Sequence, residues 1–194
     1  MTNNEAKRIV RSVMPRYEGG LTQEQVAEGV KLAQENAARL LNAARLLLHS
    51  GYASIAMALS VLAVEEHGKI AILQKIGNPT DADDINDLWF QYHNHISKTT
   101  AFTEGFAKIK GMVGEQELSE FCENNSDMLP LIDLMKQVGL YTDCSHDCHW
   151  HDPQKISNVI AIAVFSAAEQ AIHGKITPDM TFLRNALLEM ERKK

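Results

Sequence analysis

Apolar residues recur at helical spacing along most of the chain. Thr22 stands three residues before Gln25, as in a capping box. The run Val26, Val30, Ala33, Ala37, Leu40, Leu41, Ala44, Leu47, Leu48 then predicts a helix over about 22–49, closed by Ser50-Gly51. A second helix is predicted over about 52–76, ended by Gly77-Asn78-Pro79. Asp81 or Asp83 opens a third, over about 82–112, with Trp89, Tyr92, Ile96, Phe102 and Phe106 on one side. Residues 115–138 read as one or two shorter helices, with an interruption near Asn124-Asn125-Ser126, and 139–155 as a loop. Ile156 to about His173 reads as a helix apolar nearly all round, and 178–192 as a final amphipathic helix with Pro178 near its start. Residues 1–20, with Pro15 and Gly19-Gly20, read as a mobile or loosely docked leader, which leaves 21–194 as a single domain. The pattern predicts an all-α bundle of five to six helices without a sheet. The second and third should be antiparallel neighbours, because only Gly77–Thr80 joins them.

Composition narrows the class further. Among 194 residues there are 21 Ala and 19 Leu against 11 Gly and 5 Pro, a balance that suits helices with short connections and argues against a sandwich, barrel or disordered chain. The longest uncharged apolar stretches, Ile55–Val64 and Ile156–Ala168, fall short of the about 20 residues of a membrane span. No apolar h-region follows Lys7, Arg8 and Arg11, so no export signal is expected. Three cysteines, Cys122, Cys144 and Cys148, are an odd number in a chain that can fold without staples, which points to a reducing, cytoplasmic setting. A net charge of −6 gives no whole-protein attraction to nucleic acid.

Two ionisable residues interrupt apolar stripes. On the second helix Ile55, Leu59, Leu62, Ile70 and Leu73 share a face, and Glu66 fills the gap between Leu62 and Ile70, with Lys69 at its edge and Glu65 further round. On the third, Leu88, Tyr92, Thr99, Phe102 and Phe106 align and His95 occupies the missing position, with Lys98 beside it. An unpaired carboxylate in a core costs several kcal/mol or takes up a proton. Glu66 and His95 are therefore expected to meet, with Lys69 and Lys98 balancing charge. Such a cluster is either a polar pair that fixes helix register or a catalytic or ligand-binding site.

A second concentration of chemistry is Cys144, His146, Cys148, His149 and His151, five zinc-ligand types within eight residues. No partner pair stands elsewhere: Cys122 is single and His173 is distant. The segment reads as a solvated loop without a cofactor, with a zinc site as the alternative. Glu169 and His173, one turn apart, read as a local contact.

Residues 37–75, with their Ala- and Leu-rich leading helix, the Gly51-Tyr52 turn and Glu65-Glu66-x-x-Lys69, resemble the core of the AbiV family of abortive-infection proteins, members of the HEPN superfamily. His95-x-x-Lys98 behind Trp89-Phe90 resembles that family's second motif. Gly139-Leu140-Tyr141-Thr142-Asp143 followed by Pro153 resembles its third. The resemblance spans roughly residues 30–175. It implies a HEPN-like bundle, a homodimer, and an anti-phage protein that arrests host translation or acts on RNA when a phage-encoded activator triggers it. The Arg-x(4–6)-His pattern of HEPN ribonucleases is absent: Arg45 and His49, the nearest approach, have three residues between them. RNA cleavage would then rest on Glu66, His95, Lys69 and Lys98, with a neutral His as base on a ribose 2′-hydroxyl and Lys against developing phosphorane charge. The alternative is a non-enzymatic helical protein that blocks translation or senses a phage protein through its dimer or partner surface.

Overall fold

The computed structural model of the chain describes residue 17 and residues 19–80, 84–101, 128–144 and 148–173. The predicted helical stretches over 102–112, 115–127 and 178–192 lie outside the described residues, as do Cys122, His146 and most of the leader. Helix α1 spans Gln23–His49 and α2 Ala53–Gly77. Next come α3, Ile85–His93, and α4, which is described over 95–101. The rest is α5, Met128–Leu140, strands β1, Asp143–Cys144, and β2, Trp150–His151, a 3-10 turn at Pro153–Lys155, and α6, Asn158–His173. The all-α prediction holds, with one correction. The segment read as a loop carries a two-stranded antiparallel ribbon that pairs Asp143 with His151 and Cys144 with Trp150.

Local chemistry sets the ends of the long helices. Thr22 and Gln25 form the full capping box: Gln25 N–H donates to Thr22 Oγ1 at 3.3 Å and Thr22 N–H to Gln25 Oε1 at 2.9 Å. At the other end Gly51 N–H donates to Leu48 O and Tyr52 N–H to Leu47 O, the paired bonds of a Schellman turn. That turn needs a left-handed residue, and Gly51 supplies it at φ 82°.

Helix α2 is the hub. With α5 and α6 it buries Met57, Val61, Met135, Ile160 and Val164. With α1 and α6 it buries Leu41, Ala44, Ala56, Ala63 and Phe165. Its last turns, with α3 and α4, enclose Ile72, Ile76, Leu88, Trp89 and Ala101. Small residues let the backbones approach. Ala37, Ala44, Ala56 and Ala63 are fully covered, and a Cβ on Gly139 would stand 2.6 Å from the carbonyl oxygen of Ser54. Because helices cover α2 on several sides, the face that is most enclosed is not its leucine stripe. Ser54, Met57, Val61, Glu65, Gly68, Ile72 and Ile76, at steps of three and four, are all buried. Ile55, Leu59, Leu62 and Ile70 are exposed or only partly covered.

The predicted third helix is not continuous. Asn94 leaves helical geometry at ψ 131°, and its N–H closes α3 on Phe90 O and Gln91 O. Its side-chain oxygen then accepts from Ser97 N–H at 3.0 Å and its carbonyl from Lys98 N–H, so one residue ends α3 and caps α4. From the leader, Tyr17 lies edge-on to Trp89, and Trp89 Nε1–H donates to Gly19 O at 2.9 Å.

Candidate functional site

The polar cluster forms around Glu65, not Glu66. Its side chain is 3% exposed and takes donors from two other helices. Lys136 Nζ, from α5, donates to Oε1 at 2.7 Å, and His95 Nδ1, at the start of α4, lies 2.6 Å from Oε2. An ionised carboxylate can only accept, so Nδ1 carries the proton of that bond. Lys98 Nζ stands 3.8 Å from the same Oε2. Asp133 completes the cluster, 2.7 Å from Lys136 Nζ on one oxygen and accepting from Gln137 Nε2 at 3.1 Å on the other.

Two shifts of phase explain the correction from Glu66 to Glu65. The sequence reading followed the bulkiest apolar residues of α2, whereas the small-residue face, which contains Glu65, is the one its neighbours enclose. Glu66 is partly covered, pairs with Lys69, and so does not meet His95. Lys69 Nζ also lies 5.2 Å from the centroid of the Tyr92 ring. On the other helix, the break at Asn94 interrupts the stripe. Thr99 is buried as its place on the stripe predicts, but Lys98 is buried beside it while the side chain of His95 is 56% exposed.

Electrostatics follow from burial and pairing. Burial holds Lys98 below the usual lysine range, and the nearby Glu65 and Glu66 only partly oppose this. Burial alone would lower Lys136 too, but its hydrogen bonds to Asp133 and Glu65, and their charges, raise it above its ordinary value. Burial pushes Asp133 up, yet hydrogen bonds from Lys136 and Gln137 and the charges of Lys136 and His95 hold it below the carboxylate range. Three carboxylates (Glu65, Glu66, Asp133) face three lysines (Lys69, Lys98, Lys136), and His95 is the member most open to solvent.

Lys136 and Asp133 were missed by sequence reasoning, though a signal existed. They are the two charged residues in the apolar segment MLPLIDLMKQVGL, the same anomaly that singles out Glu66 and His95. The metal candidates gather less. Cys144 and Cys148 are exposed and form no disulfide, and His151 Nε2 bonds Val138 O at 2.7 Å, which ties the ribbon to α5. No three His, Cys, Asp or Glu side chains come together to hold a metal among the described residues, which exclude His146. Glu169 pairs with Arg45 of α1 across the bundle, and the Arg45 guanidinium lies 5.6 Å from the Phe165 ring centroid.

The HEPN_AbiV family model, described as AbiV, matches residues 25–173, which include every member of this cluster. The chain belongs to the AbiV family. It thereby belongs to the HEPN superfamily, whose helical-bundle character agrees with the fold above. No curated protein and no solved structure matches the chain. Among the described residues of this AbiV-family chain, no helix is long and apolar enough to cross a membrane.

Proposed function

We propose that this AbiV-family protein is an anti-phage abortive-infection protein which, triggered by a phage-encoded activator in the cytoplasm, acts on RNA or the translation machinery, with His95 and Glu65 as its proton-transfer pair. One observation carries the reading. An exposed imidazole has its Nδ1 bonded to a buried carboxylate, so the neutral ring directs an unprotonated Nε2 away from that anchor. Such a ring can take the proton of a ribose 2′-hydroxyl as the oxygen attacks the adjacent phosphorus. It can then return the proton to the departing 5′-oxygen, leaving a 2′,3′-cyclic phosphate and a 5′-hydroxyl. Lys69, on the neighbouring turn of α2, is the lysine least committed to Glu65 and suits the developing phosphorane charge.

The same geometry supports a second reading. Lys98 and Lys136 are both buried against Glu65, as in a satisfied polar network that fixes helix register. The protein would then block translation through a surface, as a homodimer whose pairing covers Val159 and Ile162, exposed on α6. Purified protein incubated with total RNA, alone and with a phage lysate, separates the two. Fragments with 5′-hydroxyl ends that vanish in a folded His95→Gln variant support the first reading. Translation arrest without cleavage, retained in that variant, supports the second.

A further inference from the structure

A histidine has two neutral forms, and only the Nδ1–H form leaves Nε2 free to accept a proton on the outer side of this ring. What selects that form is the orientation of the Glu65 carboxylate. Its two oxygens are held by different helices: Oε1 by Lys136 of α5 at 2.7 Å, Oε2 by His95 of α4 at 2.6 Å. Lys98 is too distant, at 3.8 Å, to set the plane of the carboxylate by hydrogen bonding. Lys136 is in turn ion-paired with Asp133, one turn earlier on α5, at 2.7 Å from its buried Oδ1. The helix itself is anchored at Gly139 against Ser54 and through Val138 O to His151.

We propose that Lys136 and Asp133 are positioning residues, which hold the Glu65 carboxylate in the orientation that accepts the Nδ1–H of His95 and so select the ring form with a free Nε2. The functional part of this rests on the reading of His95 as the reactive group; the selection of ring form stands on geometry alone. Without Lys136, Oε1 loses its donor. The carboxylate can then turn toward Lys98, and His95 reverts to the Nε2–H form that unconstrained imidazoles favour. A lysine that merely neutralised Glu65 would not need to approach the oxygen opposite the imidazole.

The experiment is long-range proton–nitrogen NMR of the histidine rings in the full chain, at a pH where the rings are neutral. In the wild type His95 is expected in the Nδ1–H form. Lys136→Met is expected to shift the population to mainly Nε2–H, Asp133→Asn to shift it part of the way, and Lys136→Arg to restore it. Asp133 is half-buried, so Asp133→Asn keeps the test open if Lys136→Met does not fold. A wild-type ring already in the Nε2–H form overturns the proposal. So does a His95 spectrum unchanged in whichever of these two variants fold. A shift of ring form with no change in RNA cleavage or phage protection upholds the positioning and sinks the functional reading. Activity that depends on His95 while its ring form ignores Lys136 does the reverse.

Discussion

Glu65 on α2 and Lys136 on α5 stand 71 residues apart in sequence and meet at 2.7 Å, both buried. The pair ties two helices of the core by charge as well as by apolar contact. Removing Glu65 takes away the carboxylate that Lys98 and Lys136 share and leaves Lys136 with Asp133 alone.

Glu65→Leu should therefore cost about 3–5 kcal/mol of unfolding free energy, because Lys136 and Lys98 are left buried beside an apolar side chain. Glu66→Gln, which breaks a partly exposed pair with Lys69, should cost less than about 1 kcal/mol. Urea unfolding of the two variants measures the difference. Equal losses would contradict the central place of Glu65.

Gly139 brings α5 close against the backbone of α2. A methyl group there meets the backbone oxygen of Ser54 at 2.6 Å, which cannot swing aside as a side chain can. Gly139→Ala should lower stability by about 1–3 kcal/mol through overpacking. Gly20→Ala, where a Cβ meets nothing within 4 Å, should stay within about 0.5 kcal/mol. Thermal melts of both variants in one buffer test the contrast.

His67 on α2 adds a dependence on pH. Burial, and then the charge of His173, hold its pKa below the ordinary 6.5. A histidine lowered on folding binds its proton more tightly in the unfolded chain. Its contribution to stability is therefore complete above about 6.5 and is lost progressively as pH falls from there toward the folded value. Melting temperature should drop on acidification from pH 7 to 5. His67→Gln should flatten that part of the profile, and a profile as steep as the wild type's would rule His67 out as a source.

The cysteines of the ribbon are expected to be dispensable for folding. Cys144 and Cys148 are both exposed, and the ribbon is tied to α5 by His151. The double variant Cys144→Ser, Cys148→Ser should melt with the wild type. Elemental analysis is expected to find less than one zinc per chain. Stoichiometric zinc, with a fall in melting temperature on adding chelator, would instead identify a structural site, since such sites contribute about 10–16 kcal/mol to folding.

The amino-acid sequence alone was enough to bound the helices that are closed by local chemistry. Thr22 with Gln25, and Ser50-Gly51, bound α1 through hydrogen bonds a few residues long, and Asn78-Pro79 ends α2 in the same way. It also determined that titratable groups from α2 and from the segment after Tyr92 must find one another, because a charge within an apolar run has few other outcomes. Which carboxylate this was could not be read from periodicity. Glu65 and Glu66 are 100° apart on the helix, and the choice depended on which side of α2 its neighbours cover. Small residues decided that, by allowing close approach where bulk alone pointed to the leucine stripe. Periodicity also gave neither the break at Asn94 nor the arrival of Lys136 from α5. The second depends on a contact between residues 71 apart, which no local pattern encodes, whereas the Asn94 break is closed by its own short-range hydrogen bonds, which hydrophobic periodicity does not register.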